Sequence, residues 1–86
     1  MMTHDLKTWP EFFERLWSGE KTFELRKNDR GFRVGHTLLL REWTQRTGYT
    51  GREITATVTY ILGGLGLKDG WLVMAIKTIE KKRVKP

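Results

Sequence analysis

The chain has 86 residues, a hydrophobic content of 38%, no cysteine, and 16 basic against 10 acidic residues for a net charge of +6. A chain of this length forms one domain, and its apolar content is too high for a disordered protein. The lack of cysteine excludes disulfides and thiolate metal sites, and no apolar run reaches the roughly 18 residues that would predict a membrane-spanning segment.

The positive charge is unevenly distributed along the chain. The last ten residues hold five cations and one acid and carry +4 of the net charge. We therefore divide the chain into a single domain over residues 1–80 and a basic tail over residues 81–86. One interpretation of the tail is a solvated extension, and the other is a segment that screens phosphate charge. No secretory signal is predicted at the N-terminus, so a cytoplasmic location is expected.

The first predicted elements are a strand over residues 3–7 and a helix that ends at Gly19. Thr8 is expected to cap this helix, with Glu11 three residues later and Pro10 in the first turn. Apolar residues then recur at helical spacing and form a stripe that is expected to face the core. They are Trp9, Phe12, Phe13, Leu16 and Trp17.

The remainder of the chain alternates in polarity and predicts strands. Over residues 21–27, Phe23 and Leu25 are expected on the buried face and Glu24 and Arg26 on the opposite face. Further strands are predicted over 37–43, 52–62 and 71–76, with the continuation of the last one to residue 79 left open. The segments 45–51 and 63–70 are predicted loops. The order β-α-β-β-β-β predicts an α+β, mainly β fold: a small pseudobarrel, closed or nearly closed, with the helix plugging one end.

Residues 19–26 read G-x-K-x-x-E-x-R and place three charges at the junction of the helix and the second strand. Lys21, Glu24 and Arg26 can meet over one cleft there, and Lys7 of the first strand can join them. A structural salt bridge on a solvated face is one interpretation. A second is a partly desolvated lysine that acts as a nucleophile or base. A third is a binding site in which the cations hold a phosphate or a base carbonyl.

Other candidates surround this cluster. Lys27 and Arg30 belong to a basic turn that is either solvated or in contact with phosphates along the rim of the cleft. Trp43 stands at a strand end beside a loop, so it is the tryptophan expected to be exposed and to stack on bases, although packing is the alternative. His4 and His36 lack metal-ligand spacing, so no metal and no other cofactor is predicted.

These residues resemble the ASCH domain of the PUA-like superfamily. The resemblance rests on the G-x-K-x-x-E-x-R motif after a short helix and on the β-α-β-β-β-β order, and it extends over nearly the whole chain. It points to a small bacterial and phage branch that is RNA-binding-like. The further residues that carry it are His4–Lys7, Pro10, Phe13, Lys27–Arg30, Phe32, Val34–Gly35, Leu38–Trp43 and Tyr49–Arg52.

The resemblance implies a pseudobarrel that binds RNA or a nucleobase in the cleft beside the motif. From the positions of the charged and aromatic residues, the expected contacts are Lys7, Lys21, Glu24, Arg26, Lys27, Arg30 and Trp43. Some ASCH proteins are amidohydrolases of acetylated cytidine, and others are ribonucleases. The alternative is therefore a small hydrolase that uses Lys21 and Glu24 as catalytic residues. Glu24 stands where those amidohydrolases have a threonine, and Asp69 is the only acid in the loop where they have a distant glutamate. A protein-interaction module is a third class. RNA is the expected partner, membranes are not, and a monomer is favoured.

Overall fold

Residues 2–84 are described by a computed structural model of the chain. They form one helix and five strands in the order that the sequence predicts. The elements are β1 (Thr3–Thr8), α1 (Pro10–Ser18), β2 (Phe23–Lys27), β3 (Thr37–Thr44), β4 (Gly48–Gly63) and β5 (Trp71–Arg83). All five strands belong to one sheet with the spatial order β1-β3-β4-β5-β2. β1 and β3 are parallel, and the other neighbours are antiparallel.

The sheet curls into a half-barrel, so the predicted mainly-β α+β class is confirmed. Register shifts in the β3–β4 and β4–β5 ladders mark bulges, which bend a strand and increase its twist. β1 and β2 are the two edge strands and do not pair with each other. A seam therefore separates them where a closed barrel would have a further ladder.

The concave side of the sheet and one face of α1 enclose the core. Phe13 and Leu16 of the helix are buried there, as their spacing predicts. Trp9 and Phe12 belong to the same predicted stripe, but they are 52% and 45% exposed. Trp9 precedes the helix as its N-cap residue, and Phe12 lies at the edge of the apolar stripe rather than at its centre. The predicted cap is also wrong, because Thr8 is the buried last residue of β1 and the N-cap is Trp9, which makes no side-chain capping bond.

A partly buried ion pair between β3 and β4 also contacts α1. Arg52 of β4 donates to both carboxylate oxygens of Glu42 on β3, each at 2.9 Å, and it lies 3.3 Å from Glu14 of the helix. The hydrogen bonds from Arg52 lower the pKa of the Glu42 carboxyl below its usual value. The Arg52 guanidinium also lies 5.2 Å from the ring centre of Trp17, so it contacts both the polar and the aromatic parts of the helix.

The predicted basic tail is largely part of the sheet. β5 continues to Arg83, because residues 80–83 pair with residues 52–55 of β4. β4 itself begins at Gly48 rather than at residue 52. Lys81 donates a 2.7 Å hydrogen bond to the backbone carbonyl of Trp17, near the C-terminal end of α1, where a cation is favourable. β5 therefore extends past the predicted domain boundary at residue 80. Lys85 and Pro86, which complete the predicted tail, lie outside the described residues.

The predicted orientation of β2 is reversed. Glu24 is 3% exposed and faces the interior, whereas Phe23 and Leu25 are 45% and 48% exposed. The alternation of polar and apolar residues separates the two faces of a strand. It does not show which face is buried when polar side chains find hydrogen-bonding or charged partners inside the protein. Glu24 has two such partners, which are described below.

The two histidines contact each other. His4 Nε2 of β1 and His36 Nδ1, just before β3, lie 2.9 Å apart and share a hydrogen bond. His4 is buried, and this burial lowers its pKa, with smaller contributions from the nearby His36 and Arg30. Since the folded protein resists protonation of His4, its stability depends on pH.

Stability is expected to be complete above the unfolded-state pKa of His4, 6.5, and to fall as the pH decreases below that value. For one proton the slope approaches at most about 1.4 kcal/mol per pH unit. Urea unfolding at several pH values between about 8 and 5 measures this slope. His4→Gln removes the titrating group and should flatten the profile. An equally steep profile for the variant would contradict the assignment.

Within residues 2–84, the structure contains no helix with the length and apolar character needed to cross a membrane.

Candidate nucleic-acid interface

A cleft of about 600 Å³ lies at the seam between β1 and β2, beside the first turn of α1. It is formed by the C-terminal half of β1, the start of the helix, all of β2, the turn after β2 and the first residue of β5. The lining residues are Leu6, Lys7, Thr8, Trp9, Phe12, Lys21, Phe23, Glu24, Leu25, Arg26, Lys27, Asp29, Arg30, Phe32 and Trp71. Six of the seven predicted contact residues thus converge on one cavity.

Glu24 lies between two cations at the wall of this cleft. Lys21 Nζ donates to Glu24 Oε1 and Arg26 Nε donates to Glu24 Oε2, both at 2.9 Å. Lys21 Nζ also donates to the backbone carbonyl of Phe23 at 2.7 Å. The side chains of Lys21 and Arg26 are 15% and 26% exposed, so the cations cover the carboxylate and face the cleft themselves. Lys21, Glu24 and Arg26 therefore form one partly buried charge cluster.

Arginine side chains bridge the unpaired edges of the sheet. Arg26 Nη2 of β2 donates to the carbonyl oxygen of Lys7 on β1 at 2.9 Å. Arg30, in the turn after β2, donates to the carbonyl oxygen of Asp5 at 3.0 Å. Both carbonyls belong to an edge strand and would otherwise need water. The two arginines therefore hold β1 and β2 together without closing the seam.

Lys7 and Lys27 add positive charge to the cleft, and neither pairs with Glu24. Both are exposed and line the cleft. Lys7 Nζ lies 4.6 Å from the ring centre of Trp43, a cation–π contact that orients it at the rim. Five cations and two acids line the cavity, and one of the acids, Glu24, is already neutralised by its partners.

The aromatic residues that line the cleft do not include Trp43, the one expected from the sequence. Trp43 is half-buried and does not line the cavity. It packs edge-on against Trp9, with ring centres 5.5 Å apart, and supports Trp9 and Lys7 from behind. Trp9 and Trp71 line the cleft instead, together with Phe12 and Phe23. The helical spacing predicts that the whole apolar stripe of the helix faces the core. Trp9 and Phe12 were therefore not predicted as cleft residues.

Residues 3–76 match the model of a protein family described as "Domain of unknown function (DUF3850)". The chain belongs to this family. A protein of Escherichia phage P2, described as "Uncharacterized 12.9 kDa protein in GpA 3'region", is 39% identical over 56 residues. The aligned region is 65% of this chain and 50% of the phage protein, so the chain spans about half the length of the curated relative that it matches.

The match with the DUF3850 family contains every residue that lines the cleft, because the lining extends from Leu6 to Trp71. The charged cluster and the aromatic wall are therefore part of the family domain. Lys81 and Arg83, which contact Trp17 from the end of β5, lie beyond the matched region.

Arg26→Ala is expected to destabilise the fold by about 3 kcal/mol, because Glu24 would remain buried with one partner fewer. Urea unfolding measures this loss. Arg15→Ala is the matched control, since Arg15 also forms a 2.9 Å ion pair, with Glu20, but both side chains are more than half exposed. The control should lose less than about 1 kcal/mol.

Adding Glu24→Gln to Arg26→Ala should recover part of the stability, because the double variant no longer buries a carboxylate charge that lacks a partner. Equal effects of Arg26→Ala and Arg15→Ala would contradict a structural role for the cluster.

Proposed function

We propose that the cleft binds RNA and holds a nucleobase or a short single-stranded segment between β1 and β2. The observation that carries this proposal is the combination, in one cavity, of a net positive lining with exposed faces of tryptophan and phenylalanine. Proteins that bind single-stranded RNA combine these two features, because bases stack on aromatic rings while cations contact the backbone. The resemblance to the ASCH domain of the PUA-like superfamily supports the same function.

The size of the cleft is consistent with such a ligand. Sites for small molecules have volumes of roughly 300–1,000 Å³, and the value of about 600 Å³ lies within this range. Trp9 and Phe12 on one side and Phe23 and Trp71 on the other supply apolar area for a base. The positive lining favours a polyanion over the protein-interaction module that the sequence left open.

The cations have different roles in this proposal. Lys7 and Lys27 contact phosphates, because both are exposed and neither is needed to neutralise Glu24. Arg30 is at the rim and already donates to Asp5, so it offers its remaining N–H groups. Lys21 and Arg26 face the base from the wall. Glu24 positions these two cations, because each of its oxygens already accepts a hydrogen bond.

The hydrolase alternative requires Lys21 and Glu24 to react with a substrate. Their 2.9 Å contact at the cleft wall is the observation that favours it. Against it, Lys21 Nζ already donates to two acceptors, and Glu24 is 3% exposed. Multiple-turnover assays with acetylated cytidine and with RNA test this alternative. Product formation that Lys21→Ala abolishes would establish an enzyme. A cytoplasmic location and a monomeric state stay predictions.

Fluorescence anisotropy with a labelled single-stranded RNA tests the binding proposal. Lys7→Gln and Lys27→Gln should each weaken binding by roughly three- to tenfold and should each reduce the salt slope by about one. Lys82→Gln removes the same charge from the exposed outer end of β5 and is the matched control. Absence of binding by the unmodified protein, or equal losses in all three variants, would contradict the proposal.

A further inference from the structure

The outward face of β2, β5 and β4 is apolar across all three strands. In the ladder, Phe23 of β2 pairs with Ala75 of β5, and Ala75 pairs with Tyr60 of β4. One row further along, Leu25 pairs with Val73, which pairs with Leu62. Residues paired directly across an antiparallel ladder share a face. These side chains therefore form a continuous surface, which we call the outer strip: residues 23, 25, 60, 62, 71, 73 and 75.

The outer strip is open to solvent. Tyr60 is 62% exposed and Leu62 is 37% exposed, and Phe23 and Leu25 are each nearly half exposed. The bulge between Val58 and Tyr60 shifts the alternation of β4, so that Tyr60 faces outward although the sequence places it on the face of Val58. Exposed apolar area that is continuous across neighbouring strands is typical of interaction surfaces.

The charged residues beside the outer strip indicate which kind of ligand would bind it. Lys27 stands beside Trp71 at one end, and Lys77 follows Ala75 on the same face of β5 at the other. No position of the strip carries an acid. A lysine at each end of an aromatic surface is complementary to a strand with phosphates outside and bases inside.

The strip is also continuous with the cleft. Phe23, Leu25 and Trp71 belong to both, and Lys27 lines the cleft as well. From Trp71 to Lys77, β5 extends for about 20 Å, at roughly 3.3 Å per residue. The surface is therefore longer than a single nucleotide, and a ligand that enters the cleft meets the strip as it leaves.

We infer that the outer strip is a second part of the nucleic-acid surface, over which single-stranded RNA continues from the cleft, with bases on Trp71, Phe23 and Tyr60 and phosphates near Lys27 and Lys77. This inference rests on the proposed function. It adds that the ligand is an oligonucleotide rather than an isolated nucleoside or nucleotide.

The test compares two probes on the same variants. Uridine monophosphate, followed by calorimetry, reports the cleft alone, and a labelled oligouridylate of about eight nucleotides reports the cleft with the strip. Tyr60→Ser and Lys77→Gln should each weaken oligouridylate binding by roughly five- to tenfold and leave mononucleotide binding unchanged. Lys7→Gln should weaken both. The matched controls are Ile79→Ser, 60% exposed on β5 but outside the strip, and Lys82→Gln.

The outcomes separate the two proposals. If strip variants bind oligouridylate as the unmodified protein does while mononucleotide binding persists, the inference fails and the cleft function stands. If neither probe binds the unmodified protein, both fail. Light scattering adds a further outcome: a dimer that Tyr60→Ser converts to a monomer, with oligouridylate binding unchanged, would assign the strip to a second copy of the chain and overturn the inference.

Discussion

The carboxylate of Glu24 faces the protein interior from an edge strand, where an unpaired charge would be strongly destabilising. Lys21, from the segment after α1, and Arg26, two residues further along β2, neutralise it from opposite sides. Arg26 also donates to β1 across the seam. One small cluster therefore ties together the end of the helix and both edges of the sheet. The position of β2, and with it the shape of the cleft, depends on this cluster.

The orientation of Glu24 has a second consequence for the surface. Because successive side chains of a strand point to opposite faces, an inward Glu24 requires Phe23 and Leu25 to point outward. The cations of the motif thus face the cleft, while its apolar residues form the adjoining wall and continue onto the outer strip. The inward orientation of Glu24 therefore gives the cleft both the charge and the apolar area that the proposed ligand requires. Arg26 and Arg30 also link the two sides of the seam, since each donates to a β1 carbonyl that would otherwise need water.

The sequence predicted the order of the elements, the helix from the spacing of Phe13 and Leu16, and the convergence of Lys7, Lys21, Glu24 and Arg26. These predictions succeeded because they depend on local periodicity and on a short motif. The face of β2 was wrong, because alternation does not reveal which polar side chains have buried partners. The extent of β5 was wrong because charged residues suggest a tail, whereas pairing with a long β4 decides whether they form a strand. Trp9 rather than Trp43 lines the cleft because of tertiary packing, which no local sequence pattern specifies.

An NMR titration of the isotope-labelled protein with single-stranded RNA tests most directly whether the seam between β1 and β2 is a binding site. If RNA binds in the cleft, the side-chain Nε–H signal of Arg26 and the indole signals of Trp9 and Trp71 should shift together and follow the same saturation curve. The amide of Lys82, far along β5, should stay unchanged. Saturable binding that leaves the Arg26 and indole signals in place while other regions respond would contradict a binding site at the seam between β1 and β2.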